Sequence, residues 1–290
     1  MRTNESAGAR LALIASMIIF GTIGLFRRYI PLPSSMIAMM RGLIGAAFLL
    51  VFMRIKRKKP DGMAIRKNLT LLILSGAVLG FNWILLFEAY RYTTVATATL
   101  CYYMAPMIVV ALSPALLGER LTMAKAICVL AALGGMVLVS GVADAGFSAA
   151  EMRGVTLGLG AAALYAGVIL LNKRLGSVSA FDRTVMQLFA AAIVLLPYVL
   201  LTEDVQAVWL DAASAAMLLF VGVVHTGVAY ALYFGCMTSL RAQTVAIMSY
   251  IDPIVAILVS WLALGEKMGV AGAVGAVLVL GSAFISERCN

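Results

Sequence analysis

The sequence predicts an all-α membrane protein with ten transmembrane helices arranged as two inverted five-helix repeats. Hydrophobic residues make up 63% of the chain and charged residues only 12%, and the mean hydropathy is +1.03, which is outside the range of soluble domains. Apolar runs of about 20 residues recur along the whole chain, and each is long enough to cross the hydrocarbon core of a bilayer as a helix. A block of sequence also occurs twice at a fixed offset.

The repeated block aligns two parts of the chain that lie 147 residues apart, without a gap. Its matched pairs are Tyr103 with Tyr250, Pro106 with Pro253, Gly118 with Gly265, and Glu119 with Glu266. The same register aligns residues 80–134 with 227–281, including several glycines. The chain is therefore predicted to consist of two copies of one structural repeat, the first at 1–141 and the second at 154–286.

Ten apolar runs account for the spans in chain order. They cover residues 11–26, 35–53, 69–90, 93–117, 122–141, 155–171, 181–201, 212–235, 242–264 and 269–285. The first run ends in Arg27-Arg28, not at a small-residue cleavage site, which argues against a signal peptide. Five spans per repeat is an odd number, so the second repeat must enter the membrane from the opposite side.

The cations predict the orientation of the chain. Residues 54–68 hold seven Lys or Arg, and beside a span such a loop marks the cytoplasmic side more often than a nucleic-acid-binding patch. With both termini in the cytoplasm, 16 of the 22 cations fall inside, five outside and Arg41 within span two. We expect a multi-pass protein of the inner or plasma membrane that contacts the lipid bilayer and binds no nucleic acid.

An inverted repeat favours a secondary transporter, because two similar halves can rock to open a central site first to one face and then to the other. An intramembrane enzyme would need a nucleophile and base or a metal constellation, which one histidine and scattered acids do not supply. A channel-like permease is disfavoured because no charged ring is repeated. The sequence therefore predicts a transporter without enzymatic activity, cofactor or metal.

Several short motifs resemble the drug/metabolite transporter superfamily, specifically its ten-span EamA-type members. They are Phe20-Gly21, Arg41-Gly42, the stretch Glu-Ala-Tyr-Arg-Tyr-Thr at 88–93, and the two proline to Gly-Glu blocks. The resemblance implies export or exchange of small metabolites, often amino acids, through a cavity lined by spans one, three, four, six, eight and nine. The second repeat departs from the pattern, since Tyr165-Ala166 replaces Phe20-Gly21 and Arg41 has no symmetric copy.

Polar residues inside the spans are the candidate substrate and coupling groups. Asp252 lies near the midpoint of span nine, directly before Pro253, and Pro106 lies at the matching place in span four. Each proline is expected to kink its helix and free backbone carbonyls. Asp252 can alternately hold a proton and bind a cationic group, although a hydrogen-bonded packing acid is the competing interpretation.

The remaining candidates for substrate binding lie at comparable depth. They are Asn82 and Trp83 of span three, Tyr102 and Tyr103 of span four, His225 and Tyr230 of span eight, and Tyr250 of span nine. Such a set suits a zwitterionic or cationic metabolite of amino-acid size, but aromatic side chains also pack ordinary cores, and His225 fits a packing role as well as a proton site.

Three further expectations concern ion pairs and packing. An arginine as deep as Arg41 is seldom unpaired, so Glu88 is its predicted partner, with snorkelling to the surface as the alternative. Glu119 and Glu266 begin spans five and ten, where a carboxylate suits a helix N-terminus, so both are predicted to be structural. Glycines in spans five and ten permit close helix packing, which serves either the fold or a homodimer.

Overall fold

The computed structural model describes residues 2–117, 122–140, 148–175, 177–205, 210–237, 239–240, 245 and 248–288. These residues form helices and connections, and no strand occurs among them. Seven helical segments are long and apolar enough to cross a membrane, and three shorter apolar helices complete the series: Met123–Val139, Ile251–Leu264 and Val270–Ser286. The predicted all-α membrane fold with ten spans is confirmed.

The first repeat contains spans one to five. They are Arg2–Gly21 with Ile23–Arg28, Ser34–Ile55, Leu69–Tyr92, Val95–Tyr102 with Ala105–Leu117, and Met123–Ser140. A short helix, Gly62–Lys67, lies in the basic connection between spans two and three, where the Asp61 carboxylate accepts hydrogen bonds from the backbone of Met63 and Ala64. The predicted end of span five at Gly141 lies outside the described residues.

The second repeat contains spans six to ten. They are Ala149–Arg174, Ala180–Thr202, the continuous series Ala212–Phe220, Val221–Val228 and Ala229–Met237, then Ile251–Leu264 and Val270–Arg288. The middle segment of span eight, Val221–Val228, is π-helical, so its backbone bonds reach one residue further than in an α-helix. The predicted start of span nine at residue 242 lies outside the described residues.

The packing of the spans follows a two-fold pattern. Span three packs against span six, and their counterparts, spans eight and one, pack against each other. In the same way, span seven packs against span three, and span two packs against span eight. Spans two and seven, four and nine, and five and ten each pack against their own counterpart. Exchanging the repeats therefore preserves the contacts. Because each repeat has an odd number of spans, the axis that relates them lies in the membrane plane, and the predicted inversion is confirmed.

Two glycines, Gly135 of span five and Gly275 of span ten, lie in a close contact between their helices. A Cβ atom built on Gly135 would lie 2.8 Å from the carbonyl oxygen of Gly275, and one built on Gly275 would lie 2.5 Å from the carbonyl oxygen of Gly135. Both distances are too short for a real Cβ contact, so the backbones of the two helices touch here as they do in small-residue membrane interfaces.

Helix interruptions coincide with the middle of the protein. Span four breaks at Tyr103 and Met104, and Pro106 follows in the first turn of its second helix, where the missing N–H removes no helical bond. Span nine has Pro253 in the first turn of Ile251–Leu264. Span one breaks at Thr22, whose hydroxyl donates to the carbonyl of Ile19 over 2.8 Å. These breaks place irregular backbone beside a cavity.

Candidate functional site

A central cavity of about 420 Å³ lies between the two repeats. Its volume falls within the range of small-molecule pockets. Every span except five and ten contributes to the lining, so spans two and seven join the six implied by the family resemblance. The wall is rich in aromatic side chains, namely Phe20, Trp83, Tyr90, Tyr102, Tyr103, Tyr165, Tyr230, Tyr233 and Phe234.

Asp252 presents a carboxylate to this cavity. The hydroxyl of Tyr103 donates to its Oδ2 over 2.8 Å, and lies 3.3 Å from the carbonyl oxygen of Ser249. No cation of the described residues lies within salt-bridge distance of Asp252. Gly21 allows span one to pack directly on this point, because a Cβ there would lie 2.5 Å from the carbonyl oxygen of Asp252. The acid thus lies where spans one, four and nine meet.

Arg41 lines the same cavity from span two. Its side chain is only 4% exposed, its guanidinium carbon lies 4.2 Å from the centroid of the Trp83 ring, and Phe87 lies at 5.3 Å. Its Nε donates to the hydroxyl of Thr226 over 3.1 Å. Aromatic faces attract a cation without neutralising it. Arg41 is therefore a buried positive charge without an acidic partner among the described residues.

The predicted pair of Arg41 with Glu88 is wrong. Glu88 accepts a hydrogen bond from Ser34 over 2.7 Å and one from Arg91 over 3.1 Å, near the C-terminal end of span three. Arg91 is three residues away on the same helix, which brings its side chain onto the same face as Glu88. Arg91, which is closer to Glu88 and more exposed, therefore forms the salt bridge with it, and Arg41 contacts aromatic rings instead.

Five of the eight predicted substrate-binding residues line the cavity: Trp83, Tyr102, Tyr103, Tyr230 and Asp252. Tyr102 stacks on Tyr165 with ring centroids 5.0 Å apart, and Tyr230 lies 5.3 Å from Phe20. Pro106 also reaches the lining, whereas Pro253 is buried outside it. The structure thus brings the aromatic candidates and the candidate acid together.

The other three predicted residues lie at helix interfaces. Asn82 is fully buried, and its amide donates to the carbonyl of Ala161 over 2.5 Å, which joins spans three and six. His225 is 1% exposed, packs between Phe26 and Phe220, and its Nε2 lies 3.0 Å from the Thr22 hydroxyl.

Tyr250 packs against aromatic rings of two spans, with its centroid 6.5 Å from that of Tyr103 in span four and 6.0 Å from that of Phe284 in span ten. None of these three side chains lines the central cavity.

Sequence reasoning missed the polar groups at one end of the cavity. Gln187 donates to Ser75 and to Asn172 over 2.6 Å each, and both Gln187 and Asn172 line the cavity beside Arg183. Arg183 was counted among the 16 cytoplasmic cations although the predicted span 181–201 contains it, and in the structure it lies near the start of span seven and lines the cavity. Its place one turn inside the helix, after the cap residue Ser179, is the signal that could have found it.

The two faces of the protein differ around this cavity. We name the face that carries residues 54–68 the basic face, and the face that carries residues 29–33 the opposite face. The lining reaches the basic face through Asn172 and Arg183, at the adjoining ends of spans six and seven. Toward the opposite face the wall includes Tyr90, whose hydroxyl lies 3.3 Å from that of Thr99.

Glu266 joins three elements at the opposite face. Its carboxylate forms a salt bridge with Arg28 at the end of span one, accepts from the backbone N–H of Val95 over 2.8 Å at the start of span four, and accepts from the Ser260 hydroxyl. The φ angle of Gly265, +65°, turns the chain after span nine so that this residue can reach across. The repeat counterpart, Glu119, lies outside the described residues.

The described residues contain no group of three or more His, Cys, Asp or Glu side chains that could hold a metal ion. Cys101, Cys128 and Cys236 are buried. The chemistry that the cavity offers is therefore charge, hydrogen bonding and aromatic surface from Asp252, Arg41 and the tyrosines.

Comparison with known proteins agrees with this architecture. An uncharacterized transporter of Bacillus subtilis, YxxF, is 27% identical over 280 residues, which cover 96% of this chain and 88% of that protein. An uncharacterized transporter of Archaeoglobus fulgidus is 27% identical over 283 residues, which cover 96% of this chain and 95% of that protein. A solved crystal structure, 20% identical, has a similar fold with a TM-score of 0.68 over 97% of both chains.

A family model matches this chain twice. The model is that of the EamA-like transporter family, and it matches residues 8–141 and residues 152–287. The two matches together cover nearly the whole chain, and the relatives named above are transporters. The chain is therefore a multi-pass membrane protein that belongs to the EamA-like transporter family.

Proposed function

We propose that this protein is a secondary transporter that exports or exchanges small zwitterionic metabolites, of the amino-acid class, by alternating access. One observation carries the proposal: Arg41 and Asp252 line the same cavity, and neither has an oppositely charged partner among the described residues. A charge held away from water is costly unless it is compensated. A solute with a carboxylate and an ammonium group supplies both missing partners.

The cavity walls support a solute of this size. The aromatic rings offer apolar surface and π faces that attract an ammonium group, and the tyrosine hydroxyls offer hydrogen bonds. The Tyr103 hydroxyl already orients the carboxylate of Asp252. Arg41 donates from Nε to Thr226, so the rest of its guanidinium remains available for a carboxylate.

The two-fold packing supports alternating access. The cavity lies between the repeats and extends toward the basic face, whereas Tyr90, Thr99, Arg28 and Glu266 form contacts between spans toward the opposite face. Exchange of the roles of the two repeats would open the cavity to the opposite face. By the distribution of Lys and Arg, the basic face and both termini are cytoplasmic.

Counterflow in proteoliposomes tests the proposal. Purified protein is reconstituted with an unlabelled amino acid inside, and entry of labelled amino acid is followed for a panel of neutral, acidic and basic solutes. Accelerated entry of a zwitterion is expected because exchange is faster than net movement. Equal entry with and without internal solute would indicate a channel, and consumption of the solute would indicate an enzyme.

Two variants then test which solute group each charged residue binds. Arg41→Gln should impair solutes with a carboxylate while it spares the matching amine, and Asp252→Asn should impair solutes with an ammonium while it spares the deaminated acid. Arg10→Gln, an exposed change at the basic face, is the control. Equal loss for every solute in both variants, with intact thermal unfolding, would contradict the assignment.

A further inference from the structure

A second cavity of about 850 Å³ opens on the opposite face. We name it the outer vestibule; its charged lining residues are Arg27, Arg28, Glu88, Arg91, Arg153 and Glu203. Tyr90 lines both the vestibule and the central cavity, so the two spaces lie on either side of this residue. A solute that crosses the protein through the central cavity passes through the vestibule.

Arg27 is the unusual member of this lining. Its side chain is 7% exposed, and its terminal nitrogens donate to the carbonyl of Ile30 and the hydroxyl of Ser34, each over 3.1 Å. Its Nε is buried and has no hydrogen-bond partner. Both acceptors of Arg27 are uncharged, and among the described residues this buried guanidinium forms no salt bridge; the Ser34 hydroxyl links it to Glu88, to which that hydroxyl donates over 2.7 Å.

Some of the other charged residues of the vestibule form salt bridges. Arg28 pairs with Glu266, and Arg91 pairs with Glu88. Among the described residues, Arg153 forms no salt bridge, and its guanidinium lies 4.4 Å from the centroid of the Tyr92 ring. Glu203 accepts from the Ser35 hydroxyl over 2.5 Å and has no basic partner within that part of the chain. The described vestibule lining together with Glu266, the salt-bridge partner of Arg28, holds four arginines and three glutamates, which gives a net positive charge.

We infer that the outer vestibule is a second binding site, which holds the carboxylate of a free solute against Arg27 and Arg153. The buried guanidinium of Arg27 supplies a fixed charge, and desolvated charge-assisted bonds of this type are stronger than neutral ones. An ammonium group on the same solute would face Glu203. The phosphate of a lipid headgroup offers the same chemistry as a carboxylate, so the test distinguishes the two sources.

Equilibrium binding tests this site without any transport measurement. In a cysteine-free background, Tyr198→Cys places a bimane fluorophore in the vestibule lining, and sodium glutarate serves as the anionic probe. We expect a saturable fluorescence change in detergent. Arg27→Gln and Arg153→Gln should each raise the Kd at least ten-fold, whereas Arg66→Gln on the basic face should leave it unchanged. A non-saturable signal, or an unchanged Kd in both vestibule variants, would overturn the inference.

Two further measurements address a folding failure of the variant and the alternative that a lipid occupies the site. Arg27→Lys retains the charge and should retain most of the affinity, so a folding failure of Arg27→Gln would not remove the comparison. The titration is repeated in a phosphate-free maltoside detergent with and without added short-chain phosphatidylcholine, which carries a headgroup phosphate but no net charge. An equal Kd in the two conditions supports a free solute, whereas a Kd that rises several-fold with the lipid identifies the lipid phosphate as the occupant and overturns the solute assignment.

Discussion

The hydrogen bond from Tyr103 to Asp252 is expected to be worth more than an ordinary buried one. Tyr103→Phe removes the only side chain that donates to this carboxylate among the described residues. A hydrogen bond to a charged group contributes about 1.5–3 kcal/mol, against about 0.5–1.5 kcal/mol for a neutral pair. The bond is already present without solute, so affinity changes only by the difference in its strength between the free and the bound protein. If Asp252 is protonated when free and ionised when a solute is bound, that difference is about 1–1.5 kcal/mol, and Tyr103→Phe should lower solute affinity by roughly 5- to 13-fold.

A double-mutant cycle isolates this term. Solute Kd is measured by thermal stabilisation of purified protein for wild type, Tyr103→Phe, Asp252→Asn and the double variant, and the coupling energy is the deviation from additivity. Tyr102→Phe is the matched control, because Tyr102 lies in the same lining and forms no hydrogen bond with Asp252. Additive losses for Tyr103 and Asp252 would refute the reasoning.

The same acid is expected to couple transport to a proton gradient. Asp252→Asn resembles a permanently protonated acid, so counterflow should persist at reduced affinity while uphill accumulation driven by a proton gradient disappears. Glu88 is the matched comparison, since Ser34 and Arg91 bind its carboxylate near the C-terminal end of span three. If Asp252→Asn keeps full gradient-driven accumulation and Glu88→Gln abolishes it, the coupling group is Glu88.

Three predictions concern the scaffold. Single cysteines at Asp61 and Glu203 should react with a membrane-impermeant reagent from opposite sides of the membrane, and reaction of both from one side would contradict the inversion. Glu266→Gln weakens the salt bridge to Arg28, worth up to about 1 kcal/mol, and should raise several-fold the reactivity of a cysteine at Thr99 from the opposite face. Gly275→Val forces a side chain into span five and should lower the unfolding free energy by about 1–3 kcal/mol, whereas Gly281→Val, in open space, should not.

The spans and their inversion were predictable because the signals are long and redundant. Apolar length, the fixed 147-residue offset and the cation distribution each average over many residues, so errors in single positions cancel. The main features of the two-fold contact pattern followed from the repeat itself, since similar sequence patterns fold into similar halves that pack symmetrically.

The set of residues that line the cavity was only partly predictable, because it depends on how each helix is rotated about its own axis. Asn82 and Trp83 are neighbours in an apolar span, yet Trp83 faces the cavity and Asn82 bonds to span six. Successive residues on a helix differ by about 100° in direction, and a span buried on most sides gives no polar stripe from which to read that direction. Arg183 was missed for a different reason: a cation this close to the end of a span was counted with the cytoplasmic charges and was not considered as part of the cavity lining.

The π-helical segment Val221–Val228 determines the directions in which the later side chains of span eight point around the helix axis. Each residue of an α-helix advances the side-chain direction by about 100°, so a wider turn changes which residues downstream face inward. Tyr230, Tyr233 and Phe234 owe their places in the cavity wall to this phase. A return of the segment to α-helical bonding would rotate all three aromatic rings together relative to Ala212–Phe220, so one local change of backbone hydrogen bonding would exchange the surface that span eight offers to a solute.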